Sequence, residues 1–110
     1  MISEKKENYI ILIDEKDDVV KFASFIGTIH HQFENDNLVI NLEKYGLLTL
    51  EELLSFLDIS NLHRANKKSF VIVNDTINID DVPEELNVVP TMQEAEDMIQ
   101  MEEIERDLGF

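Results

Sequence analysis

Four short apolar runs punctuate the chain. Between them, apolar residues recur every three or four positions. The first run, Tyr9-Ile10-Ile11-Leu12-Ile13, is continuous and mostly aliphatic. That is the pattern of a strand covered on both faces, as in a parallel sheet. Leu38-Val39-Ile40-Asn41-Leu42, Phe70-Val71-Ile72-Val73 and Asn87-Val88-Val89 are the other three, and Pro90 stops the last. After the first run, Val19, Phe22, Ile26, Ile29 and Phe33 form one helical stripe. Asp17 or Asp18 caps this helix, Gly27 lies within it at a cost of about 1 kcal/mol relative to Ala, and Asn35-Asp36-Asn37 ends it as a turn.

Glu43 to Leu48 read as a loop, and a second helix opens at Thr49-Leu50-Glu51-Glu52. Thr49 and Glu52 have the spacing of a capping box, in which the hydroxyl accepts from the third helical amide and the carboxylate reaches back. Leu50, Leu53, Leu54 and Leu57 supply its apolar face, and Asp58 to Asn61 are a weak helical stretch that distorts it. Asn74 to Asn78 read as loop, and Asp80 to Leu86 hold one short helical turn. A second capping box, Thr91 with Glu94, opens a last helix carrying Met92, Ala95, Met98, Ile99, Ile104 and Leu108. The order predicts an α/β fold, a mostly parallel four-stranded sheet with about three main helices. Residues 1–110 read as one domain, with residues 101–110 an overhanging helix end. Its Leu108 and Phe110 then pack on the domain, form a homodimer contact, or dock in a partner's groove.

Charge narrows the function classes. Nine Lys and Arg face 24 Asp and Glu, a net charge of −15. Such a polyanion repels nucleic acid and anionic membranes, and attracts a basic protein surface. No apolar stretch approaches the ~20 residues of a membrane span. Met1 to Asn8 mix both charge signs, unlike a signal peptide, and cysteine is absent, so the expected location is the cytoplasm.

Three scattered glycines, Gly27, Gly46 and Gly109, form no phosphate-binding loop. His30 and His31 are adjacent, so on a helix they diverge by about 100° and do not share a metal. With His63 they read as helix-surface residues. Acidic pairs occur at Asp17-Asp18, Glu51-Glu52, Asp80-Asp81, Glu84-Glu85 and Glu102-Glu103. Their number follows from composition, and they leave a metal-dependent hydrolase as an alternative. His63, Arg64, Lys67 and Lys68 are the one basic cluster, suited to compensating a helix C-terminus or to meeting an acidic segment or a phosphate. No cofactor is expected.

The run Asn37-Leu-Val-Ile-Asn-Leu, the stretch Thr49-Leu-Glu-Glu-Leu-Leu, the basic helix end, Ser69-Phe-Val-Ile-Val and the ending Val88 to Ala95 together resemble the STAS domain of bacterial anti-sigma factor antagonists. The resemblance covers roughly residues 9 to 100. It implies a regulatory protein-interaction module, without catalysis, that meets its partner around Thr49, Leu50, Glu51, Glu52 and Leu54. In that family Asp-Ser-Ser-Gly opens the corresponding helix, and its second serine is phosphorylated. Here Glu51 stands at that position, and the family's N-terminal hairpin is reduced to one strand. The ending Met101 to Phe110 also resembles short bacterial proteins known as ribonuclease Z. The nuclease's zinc motif, H-x-H-x-D-H, is absent, so that likeness implies an accessory protein.

Overall fold

The computed structural model describes residues 1–109; Phe110, read above as part of the apolar helix end, lies outside the described residues. Five strands form one sheet in the order β1 (Ile2–Lys5), β2 (Ile10–Ile13), β3 (Leu38–Asn41), β4 (Phe70–Val73) and β5 (Asn87–Val89). β2 to β5 are parallel, and β1 pairs antiparallel with β2.

The sheet therefore has one strand more than the four expected, and the N-terminal hairpin is present, not reduced. β1 reads Ile-Ser-Glu-Lys and all four side chains are exposed, so it carries no apolar pattern. Its backbone ladder forms it, with Ile2 opposite Ile13 and Lys5 opposite Ile10. The Lys6 amide closes the turn on the Tyr9 carbonyl at 2.8 Å. A polar, charged strand of this kind blunts the sheet edge that β2 would otherwise expose.

The central strands are buried on both faces, which is why they are continuously apolar. Alternate residues point to opposite sides. Ile10, Leu12, Leu38, Ile40, Phe70, Ile72 and Val88 face one layer; Ile11, Val39, Val71, Val73 and Val89 face the other. Helix α1 (Val19–Ile29) covers the first face with Val19, Phe22, Ala23 and Ile26, and the Asp18 carboxylate caps it by accepting from the Lys21 amide at 3.0 Å. It tightens into a 3₁₀ turn at His30–Gln32, so Phe33 lies beyond it.

The second predicted helix is two helices, α2 (Leu50–Leu54) and α3 (Leu57–Ala65). The break falls at Ser55-Phe56, not at Asp58 to Asn61, which are regular helix. The Ser55 hydroxyl donates to the Glu52 carbonyl at 2.5 Å, while the amides of Ser55 and Phe56 reach back only three residues. Such back-bonding by serine competes with the helical ladder. The bend lets Leu53 and Phe56 both enter the core, and Phe56 meets Phe22 edge-on with ring centroids 6.3 Å apart. Leu50 and Leu54 are thereby left outside, contrary to the expected buried face.

Helix α4 (Met92–Asp107) packs Ala95 and Ile99 on the second face. Only half of its predicted capping box forms: Thr91 Oγ1 accepts from the Glu94 amide at 3.1 Å, without a reciprocal bond. At 1.5 Å per residue its 16 residues reach about 24 Å, whereas a four-residue strand spans about 13 Å. Past Ile99 the helix has therefore run beyond the apolar sheet. Met101, Ile104 and Leu108 are exposed there, and polar residues fasten the end instead. Asn37 donates to the Asn8 carbonyl at 2.9 Å and to Glu103 at 2.6 Å, and accepts from the Ser69 amide at 2.9 Å. Ser69 donates to Glu102 at 2.5 Å.

A Cβ at Gly27 would meet the Ile59 side chain at 3.9 Å, an ordinary contact. Gly27→Ala is expected to raise stability by about 0.5–1 kcal/mol, because it removes backbone entropy from the unfolded chain. Urea denaturation checks this, with a higher midpoint at unchanged slope.

Candidate functional site

The loops leaving β2, β3 and β4 gather at the carboxyl edge of the parallel strands, the edge where open α/β sheets commonly bind ligands. Polar contacts tie them together. Asp14 is buried after β2; its Oδ1 accepts from the Lys16 amide at 3.0 Å, and its Oδ2 accepts from the Tyr45 hydroxyl in the loop after β3. Burial alone would push the Asp14 carboxyl up. The Tyr45 and Lys16 hydrogen bonds and the Lys44 charge outweigh it and hold the group below its ordinary range. Burial and the Asp14 carboxylate push the Tyr45 phenol up. Lys44 also reaches the Lys16 carbonyl at 2.5 Å and Asp17 at 3.5 Å.

Asn74, buried at the end of β4, continues the brace. Its Nδ2 donates to the Leu42 carbonyl at 3.1 Å, and its Oδ1 accepts from the Thr76 amide at 2.9 Å. The Thr76 hydroxyl lies 2.7 Å from the Gly46 carbonyl. Three loops are thus fixed relative to one another.

On this brace stands the start of α2. Both halves of the Thr49–Glu52 capping box form: the Glu52 amide donates to Thr49 Oγ1 at 3.1 Å and the Thr49 amide to Glu52 Oε1 at 3.0 Å. Thr49, Leu50, Glu51, Glu52 and Leu54 lie together on this short segment. Thr49 and Glu51 are exposed, Glu52 is half-buried by the cap, and Leu50 and Leu54 are 42% and 37% exposed. The charge-and-spacing pattern did not single out Leu47, which is 82% exposed just ahead of the helix, or Ile79, exposed after β4. Glu43 and Asp75, two residues past the ends of β3 and β4, are exposed on the same edge. The result is a rim of exposed aliphatic side chains on a capped, hydrogen-bonded segment, with carboxylates around it.

The other singled-out residues go elsewhere. His30 and His63 are not surface residues but a buried pair at the opposite edge, whereas His31 is exposed. His63 Nε2 lies 2.6 Å from the Asp36 carbonyl, which can only accept. Nε2 therefore carries the hydrogen, and Nδ1 accepts from His30 Nε2 at 2.8 Å. The acidic pairs scatter. Asp18 caps α1, Glu102 and Glu103 hold α4, and Glu84 and Glu85 are exposed. Among the described residues no group of three or more His, Cys, Asp or Glu is placed to hold a metal ion. Among them, too, no helix is long and apolar enough to cross a membrane.

No protein-family model matches the chain, and no curated protein matches it.

Burial moves the His63 pKa down to about 4, with the His30 ring adding to it against the pull of the Asp36 carbonyl. The unfolded chain binds this proton near pH 6.5, so the folded state loses stability as pH falls from 6.5 toward 4. The slope for one group is at most about 1.4 kcal/mol per pH unit. Chemical denaturation of wild type and His63→Asn at several pH values isolates it: the variant is expected to be less stable at neutral pH and to show a shallower pH slope within that window.

Proposed function

We propose that this chain is a non-catalytic regulatory module that binds another protein through the rim formed by Leu47, Thr49, Leu50, Glu51, Glu52 and Leu54. One observation carries the reading: aliphatic side chains stand exposed on a short helix whose start is capped and braced from beneath. Exposed leucines on a rigid platform lose little entropy when a partner covers them. The carboxylates around them favour a partner with a basic surface and speed its encounter over long range.

The STAS resemblance supports the same surface, because the switch serine of that family stands at the start of the corresponding helix. Here Glu51 supplies a permanent negative charge at that point. Regulation by this chain then depends on its abundance or its partner's state, not on a phosphate added at residue 51.

Affinity co-purification from the native cell tests the reading, with each variant first shown to keep its circular dichroism spectrum. A partner held by the wild-type chain is expected to be lost, by about tenfold or more in affinity, with Leu54→Asp and with Glu51→Lys. Elution of the partner by moderate salt is expected as well, since the steering charges are exposed. A set of bound proteins unchanged by both substitutions contradicts the proposal.

A further inference from the structure

The opposite edge of the sheet carries a second feature, built from residues far apart in the chain. The C-terminal ends of α3 and α4 meet there and enclose an open cleft of about 460 Å³. Arg64, Lys67 and Lys68 line it from the α3 side and Arg106 from α4, with Asn61 and Glu102 between them. Four of the nine cations of a protein with net charge −15 thus converge on one place. The basic cluster seen in the sequence lacked Arg106, which only the fold brings in.

These cations are not spent on ion pairs. Among the described residues the side-chain and terminal ion pairs are Met1 with Glu15 and Lys44 with Asp17, both elsewhere. Arg64 is anchored by one nitrogen, Nη1, to the Glu85 carbonyl at 2.6 Å. Arg106 is anchored by Nη2, 3.3 Å from the Ser69 hydroxyl and 3.4 Å from Asn37. Each guanidinium is held by one end with its other N–H groups left to donate. Glu102 is already engaged, since Ser69 and Asn87 donate to its two oxygens. Lys67 follows the last turn of α3 with φ of 63°, a left-handed position where glycine is the usual residue. A lysine there costs about 1 kcal/mol relative to glycine.

Helix dipoles account for part of the clustering. A helix C-terminus carries about half a negative charge, so two ends attract about one cation. With Glu102, Glu105 and the neighbouring Glu103 the local charges come close to balance, so what the cleft offers an anion is the free N–H donors of two guanidiniums and two ammonium groups rather than an excess of charge. We propose that this cleft binds the phosphate group of a small phosphate ester. A doubly charged tetrahedral group uses several cations at once, and guanidinium forks match its oxygens. A single carboxylate is satisfied by one arginine. A nucleic acid strand would run out of the cleft onto the acidic surface and be repelled.

Amide correlation spectra of the full ¹⁵N-labelled chain, titrated with inorganic phosphate and with glycerol phosphate, test the assignment. Sodium acetate and sodium chloride at equal ionic strength serve as controls. Both phosphates are expected to give saturable shifts at residues 61–69 and 102–109. Those shifts need about tenfold more ligand in the Lys67→Ala, Lys68→Ala double variant, whose spectrum elsewhere stays that of the wild type. Arg64→Gln, away from the α4 fastening, is expected to act in the same direction. Four outcomes each overturn the proposal: no saturable shift with glycerol phosphate, equal shifts with chloride, equal affinity for acetate, or binding unaltered in both variants.

Discussion

Burial of β3 and β4 on both faces is the constraint from which the rest of the molecule follows. A strand with water on one side can alternate apolar and polar residues; Val39, Ile40, Val71 and Ile72 have no such freedom, because each is sealed under a helical layer. At roughly 25 cal/mol per Å² of apolar surface, this two-sided burial is the largest favourable contribution available to so small a chain. It requires helices on both sides, and it receives α1, α2 and α3 on one and α4 on the other. It also aligns the strands, and so delivers every connecting loop to one of two edges.

The two edges are finished differently. At the carboxyl edge, Asp14, Tyr45, Asn74 and Thr76 lock three loops by hydrogen bonds between residues some thirty positions apart, leaving the leucines of the next segment exposed on a fixed base. At the amino edge, the apolar sheet ends before α4 does, and Asn37, Ser69, Glu102 and Glu103 take over from hydrophobic contact. The buried His30–His63 pair fills the gap between the end of α1 and α3 at this edge. Carboxylates predominate at the first edge, and cations gather at the second. The dipoles of α3 and α4, whose C-termini lie at the second edge, explain part of that polarity.

Features encoded within a few residues were legible in the sequence. The four buried strands, the stripe of α1, the Asp18 cap and the Thr49–Glu52 box all depend on neighbours one to four positions away. What the sequence hid depends on distant partners or on backbone alone. β1 is polar and exists through its ladder with β2. Asn37 and Asn74 read as turn residues, yet each is a buried bracket whose partners lie about thirty or more positions away. His63 read as a surface cation and is 0% exposed, because Ser60 and His63 share the α3 face that Phe56 opens. The Ser55 break reversed the fate of Leu50 and Leu54, which helical periodicity alone puts inside. That reversal left Leu50 and Leu54 exposed beside Thr49 and Glu51, while Leu53 of the same helix is buried.

The carboxyl-edge rim works as a preformed platform only when it is held as firmly as its hydrogen bonds imply. Native-state amide hydrogen exchange measures this directly. The amides of β3 and β4 are expected to exchange slowest, and those of Lys16, Glu52 and Thr76, which donate to side chains of the brace and the cap, to be protected by tenfold or more, about 1.4 kcal/mol, relative to the exposed Leu47. If those three amides exchange as fast as Leu47 while β3 and β4 stay protected, the rim is a mobile loop cluster and not a preformed binding platform.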